Sequence, residues 1–200
     1  MTKLNPFSHE RRCAPGREAL AKRREPAKVA RPKGGSLDDL KRSFPPVTDT
    51  GTQVLILGSL PGEESLARGR YYAHPRNQFW RLIGAVAGLD LEPLGYEARL
   101  EALLSRGIGL WDTVRTATRR GSLDGNIRGI EPNALAALVE TLPKLRAVGF
   151  NGGKSAALGM SQIAERDRLA LVPLPSSSPA YTLAFEAKLA AWRALGPFLA

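Results

Sequence analysis

The chain has 200 residues and a formal net charge of +10, from 29 Lys and Arg against 19 Asp and Glu. That length fits one compact domain with a tail. One cysteine (Cys13) and two histidines (His9 and His74) exclude an internal disulfide and argue against a cysteine- or histidine-rich metal site. No apolar run nears the roughly 20 residues of a membrane span, and no apolar segment follows the charged N-terminus as in a secretory signal. The expectation is a cytoplasmic protein with no membrane partner. An excess of positive charge of this size favours an acidic partner, most often nucleic acid.

Residues 1–36 carry ten basic side chains, from Lys3 to Lys33, against Glu10, Glu18 and Glu25, and few large apolar groups. Such a segment cannot bury enough apolar surface to order itself, so it reads as a disordered basic arm. It suits a tether acting on DNA phosphates, and equally an extension without function. The folded domain is expected over residues 37–200. Phe44-Pro45-Pro46-Val47 reads as an extended lead-in. Gln53 to Gly58 reads as a continuous apolar run ending in glycine, the pattern of a strand buried on both faces. Residues 77–88 have the apolar spacing of a helix, as do residues 96–105. A short strand is predicted over Ile108–Asp112. A helix is predicted from Pro132 to Thr141, with the proline in its first turn. Then come a strand over 145–150, a helix starting at Lys154, a strand over 169–174 and an amphipathic helix over 182–195. Strands alternating with helices at this spacing predict an α/β fold with a mostly parallel sheet. In such sheets the ligand site lies beyond the carboxyl ends of the strands.

The segments that follow the strands are therefore the informative ones. Gly58-Ser59-Leu60-Pro61-Gly62 is a tight turn whose backbone N–H groups can face a ligand. On its own it is better read as an ordinary turn. Tyr71-Tyr72-Ala73-His74-Pro75-Arg76-Asn77 crowds aromatic, basic and amide groups into one loop, which suits bases and phosphates. Asn77 is also placed to cap the next helix. Asp112 at a strand end can accept a hydrogen bond from a base edge, or serve as a turn residue. Arg119 and its neighbours read as phosphate contacts or solvated surface. Asn151-Gly152-Gly153 reads as a plain strand–helix connection. Pro175-Ser176-Ser177-Ser178-Pro179 is a stiff loop with three hydroxyls able to grip a phosphate backbone.

In this order the segments resemble the uracil-DNA glycosylase superfamily, from about Phe44 to the C-terminal helix. Residues 58–62 match its first motif, Tyr72–Trp80 a stretch of its mismatch-specific branch, and Pro175-Ser176 its second motif. Leu60 stands where classical members carry the Asp or Asn that positions water, and Leu174 where they carry a His or Asn just before the Pro-Ser of the second motif. The hypoxanthine-DNA (deoxyinosine) glycosylases share such losses, and they are similar to this chain in Gly58–Gly62, Tyr71-Tyr72, Gly109–Asp112, Gly121-Ser122-Leu123-Asp124 and Leu174–Ala180. The resemblance implies a three-layer α/β/α domain with a central four-stranded sheet. It also implies a monomeric, nucleoid-associated hydrolase that flips a deaminated base from DNA and cleaves its N-glycosidic bond without lyase activity, needing neither metal nor cofactor. Asn77 is implied as the catalytic group, with Ser59 assisting. Tyr72, Leu60, Gly62, Asp112 and His74 are implied around the base, and Pro175, Ser176, Ser177, Ser178, Arg76 and Arg119 on the DNA backbone. Three alternatives stay open on sequence alone: a uracil or mismatch glycosylase, a non-catalytic damaged-DNA-binding protein, and a protein that binds a free nucleotide.

Overall fold

The computed structural model describes residues 39–163 and 168–199; the expected basic arm, residues 1–36, lies outside them. A four-stranded parallel sheet forms the centre, made of β2 (Val54–Gly58), β3 (Ile108–Asp112), β6 (Ala147–Asn151) and β7 (Ala170–Leu174) in the order β3-β2-β6-β7. All five residues of β2 are buried, and successive side chains face opposite sides. Val54 and Ile56 join a core with Phe79, Leu82 and Ile83 of α2 (Phe79–Ala87), Leu103 of α3 (Tyr96–Ser105) and Trp192 of α6 (Phe185–Trp192). Leu55 and Leu57 join a second core with Leu135 and Val139 of α4 (Leu135–Glu140), while Ala156 of α5 (Gly153–Gly159) packs against it. The result is the expected three-layer α/β/α arrangement. Pro173 is tolerated inside β7 because that strand lies at the sheet edge.

The register aligns the strand ends. Gly58 pairs with Asp112, and Asn151 pairs with Leu174. Four chain segments therefore leave the sheet from the same rim.

Three features differ from the sequence expectation. A second, antiparallel sheet, β1 (Leu40–Arg42), β4 (Val114–Thr118) and β5 (Arg128–Pro132), forms in the order β1-β4-β5. Pro132 thus ends a strand instead of starting a helix, and α4 begins at Leu135. Buried Asn133 occupies the junction and donates to the Asp112 carbonyl at 2.8 Å. A short helix, α1 (Glu63–Arg68), follows the first loop and ends at Gly69, whose positive φ of 62° permits the left-handed stop. The closing helix is shorter than predicted, passing after Trp192 into a 3-10 turn over Arg193–Phe198 that contains Pro197. Among the described residues no helix is long and apolar enough to cross a membrane.

Candidate active site

Beyond the aligned strand ends lies a cavity of about 450 Å³. Its walls come from Gly58–Gly62, the Tyr71–Asn77 loop, Ser122–Asp124, Asn151–Lys154 and Ser176–Tyr181, with Asp112 between them. The structure thus brings together Ser59, Leu60, Gly62, Tyr72, His74, Asn77, Asp112, Ser176, Ser177 and Ser178 from segments far apart in sequence.

Asp112 is 3% exposed. Burial pushes its carboxyl up to about 7; the nearby Tyr71 hydroxyl and Arg119 oppose the rise, and Asp124 adds to it. Its Oδ2 makes no hydrogen bond, and neither does the buried hydroxyl of Tyr72. Both crowd Gly58: a Cβ there would stand 2.6 Å from Asp112 Oδ1 and 3.4 Å from the Tyr72 hydroxyl. A strand-end glycine is what lets an acid and a phenol approach one another here. Burial also raises the hydroxyls of Tyr71 and Tyr72 well above the ordinary tyrosine range, so both are neutral phenols. Tyr72 is the one non-glycine residue with positive φ (52°) among the described residues, a conformation that costs energy and clusters at functional sites. Its ring stacks on Phe79 at 3.7 Å between centroids and 12° between planes, so one face is already occupied. The aromatic pair Tyr71 and Phe44, edge to face at 5.2 Å, supports the next turn of the loop.

The first loop is held by neighbours the sequence did not reveal. Leu60 is 6% exposed and packs with Val114, Ala117 and Ile127. Its side chain is thus an anchor, and its backbone is what it can offer a base. Gly62 lies against Ser122, whose hydroxyl accepts from the Glu63 N–H at 3.0 Å. Ser59 donates its hydroxyl to Asp124 Oδ1 at 2.6 Å. The sequence suggests phosphate for Arg119, but this residue is 1% exposed and its guanidinium donates to the carbonyls of Leu60, Pro61 and Gly121. A guanidinium consumed by three carbonyls shapes the loop and is not presented to DNA. Burial lowers its pKa, opposed by Asp124, Glu63 and Asp112.

Asn77 precedes Gln78, which holds the N-cap position of α2. Asn77 lines the cavity, and its Oδ1 accepts the Phe79 N–H at 3.0 Å, fixing the start of α2. His74 also lines the cavity; its Nδ1 accepts the Arg76 N–H at 3.1 Å and its carbonyl accepts the Asn77 N–H. Arg76 itself is exposed and outside the cavity wall.

The last loop is fastened from three sides. Asn151 donates to Ser177 Oγ at 2.9 Å and accepts the Ser177 N–H at 2.8 Å. The Ser177 carbonyl accepts the Gln78 N–H at 3.0 Å. Ser177 is 1% exposed, so it serves as a fastener and not, as expected, as a phosphate contact. Ser176 and Ser178 are half-buried on the cavity wall and accept from the N–H groups of Ser178 and Ala180. Pro175 is outside the wall, its carbonyl holding the Trp192 indole N–H at 2.9 Å. Buried Lys188 holds the Tyr181 carbonyl at 2.8 Å. Two site residues escaped sequence reasoning, Asn151 and Asp124. A polar residue closing an otherwise apolar strand was the available signal for the first, and an aspartate in a Gly-Ser-Leu-Asp run for the second.

Comparison with known proteins agrees with this geometry. A family model described as the Uracil DNA glycosylase superfamily matches residues 45–196. A hypoxanthine DNA glycosylase from Methanosarcina barkeri is 48% identical over 115 residues, which cover 58% of this chain and 73% of that protein. A second, from Methanosarcina acetivorans, is 46% identical over 116 residues with the same coverage. The fold is similar to a Methanosarcina acetivorans protein solved by solution NMR under a provisional uracil DNA glycosylase name. The TM-score is 0.67 and the identity 38%, over 80% of this chain and 98% of that one. Together the strand-end cavity, the layer order and the match across most of its length place this chain in the Uracil DNA glycosylase superfamily.

Proposed function

We propose that this protein is a DNA-deoxyinosine glycosylase: it takes a deaminated base, hypoxanthine first, out of the duplex and hydrolyses its N-glycosidic bond to leave an abasic site. The observation that carries this reading is the pair of buried, unpartnered polar atoms on two residues that line the cavity, Asp112 Oδ2 and the Tyr72 hydroxyl. Buried polar groups without partners are costly, and a ligand with a polar edge would supply the missing bonds. The cavity volume lies within the range of roughly 300–1,000 Å³ usual for small-ligand pockets. A base must leave the stack to enter it, at a cost of a few kcal/mol that a mispaired base reduces. Asp112, with its carboxyl near 7, is partly protonated at neutral pH. It can then both donate and accept, as the mixed donor and acceptor edge of hypoxanthine requires.

In this mechanism Asn77 orients the attacking water. Its Oδ1 is fixed by the Phe79 N–H and keeps a second lone pair, while its nitrogen keeps its donors. The gain comes from positioning. Ser176 and Ser178 hold phosphates at the mouth. The protein acts as a monomer on nucleoid DNA, without strand-cleaving lyase activity.

The test is a labelled duplex with a single deoxyinosine, run beside uracil and xanthine duplexes and developed with alkali. Alkali-dependent scission at inosine is expected, with Asn77→Ala lowering the single-turnover rate about 100-fold or more. Scission at uracil alone would overturn the substrate. Binding without scission of any duplex would overturn the enzyme.

A further inference from the structure

An amide can place a water molecule, but it does not take up a proton at neutral pH. The attacking water must lose a proton, a carboxylate placed to take it up speeds that step, and Asn77 leaves such a position open. The cavity wall carries three carboxylates among the described residues: Asp112, Glu64 and Asp124. Asp112 is sealed beside Gly58 and Tyr72 and is already assigned to the edge of the flipped base. Glu64 is bound to Arg68 on α1. Asp124 is different. It is half-buried and lines the cavity from the 3-10 turn over Asp124–Asn126, outside both sheets. Its Oδ1 receives the Ser59 hydroxyl at 2.6 Å, in the short range of charge-assisted bonds. Ser59 is itself fixed, since its carbonyl accepts the Val114 N–H at 3.0 Å. The turn is anchored too, by the Asn126 amide on the Arg120 carbonyl and by the Ile127 N–H on the Asp124 carbonyl. A carboxylate held this way has one oxygen engaged and the other, Oδ2, to offer the cavity.

We propose that Asp124 is the catalytic base of this site, held by Ser59 and working beside Asn77. The assignment rests on the glycosylase reading. As the water oxygen forms its bond to the anomeric carbon, the C–N bond breaks and its electron pair leaves with the base. The water proton passes to Asp124 Oδ2, and the departing base takes up a proton from solvent. Before the bond forms, the same negative charge stabilises the positive charge that grows on the sugar. Ser59, expected to assist directly, becomes a positioning residue that aims the carboxylate.

The experiment compares wild type, Asp124→Asn and Ser59→Ala on the deoxyinosine duplex. It measures single-turnover rate and, by fluorescence anisotropy, the dissociation constant. Asp124→Asn is expected to slow the rate about 100-fold or more, within the range for a lost general base, with the dissociation constant within about threefold. Ser59→Ala keeps the carboxylate but frees it, so its rate falls by roughly tenfold, again at unchanged affinity. An Asp124→Asn rate within about fivefold of wild type overturns the assignment while leaving the glycosylase intact. If Asp124→Asn loses its thermal transition, Asp124→Glu decides. Retained scission with the longer carboxylate supports the base, and none at unchanged affinity overturns it. If wild type releases no base from the inosine, uracil or xanthine duplexes, the functional reading itself fails and Asp124 falls with it.

Discussion

The carboxyl of Asp112 is raised from 3.8 to about 7 because burial disfavours its charge. A raised pKa means that the folded state holds the proton more tightly than the unfolded chain. The stability this confers is fully present below the unfolded value near 4 and is lost as pH rises through about 7. Asp112→Asn cannot ionise. Urea unfolding from pH 4 to 8 should therefore show the variant gaining on wild type by a few kcal/mol across that window, while base selection suffers. A constant difference across the window would refute the buried charge. The position of Asp112, closing an apolar strand, could be read from sequence. The opposite fate of Arg119 could not. An arginine beside a loop that reads as DNA-facing looks like a phosphate contact, and only the curvature of Leu60-Pro61 turns carbonyls toward it. Leu60 shows the same limit, since the patch of Val114, Ala117 and Ile127 that buries it is assembled from β4 and the turn beyond.

At the scale of elements, the parallel sheet and helices α2 and α3 were legible because burial on both faces and a 3.6-residue apolar period leave a plain mark on sequence. The antiparallel sheet was not. β5 is largely exposed and holds Gly129 and Pro132, and β1 finds its partner β4 far along the chain, Leu40 opposite Thr118. Exposed strands with distant partners carry no periodic signal. Asn151 is the element-scale counterpart of a rivet, joining β6 to the loop after β7 through both ends of its amide. Asn151→Ala would strand the buried Ser177 N–H and hydroxyl. The expected loss is about 2–4 kcal/mol, from two buried unsatisfied groups, read as a lower denaturant midpoint. The DNA dissociation constant should rise with it. A midpoint unchanged from wild type would mean that the loop holds itself.

For the whole molecule, charge and its placement matter most. Residues 1–36 hold ten basic side chains against three glutamates, and we propose that they add affinity without reading sequence or damage. Removing them should weaken binding to inosine and normal duplexes alike and flatten the salt dependence. The slope falls by about 0.9 for each phosphate that is no longer neutralised, while single-turnover scission of bound inosine stays near wild type. An unchanged slope would make the arm idle. Within the folded part, the Ser177 backbone joins the serine loop to the start of α2: its carbonyl takes the Gln78 N–H, next in chain to Asn77. In the mechanism proposed above, gripping a strand and aiming a water are then two ends of one lever. On that proposal, any free energy that closes the serine loop on DNA is shared with the amide assigned to the water, and by reciprocity a well-seated base tightens the grip. Undamaged DNA, which leaves the cavity empty, forfeits that contribution, so the proposal predicts that sound duplex dissociates faster than a lesion before any bond is broken.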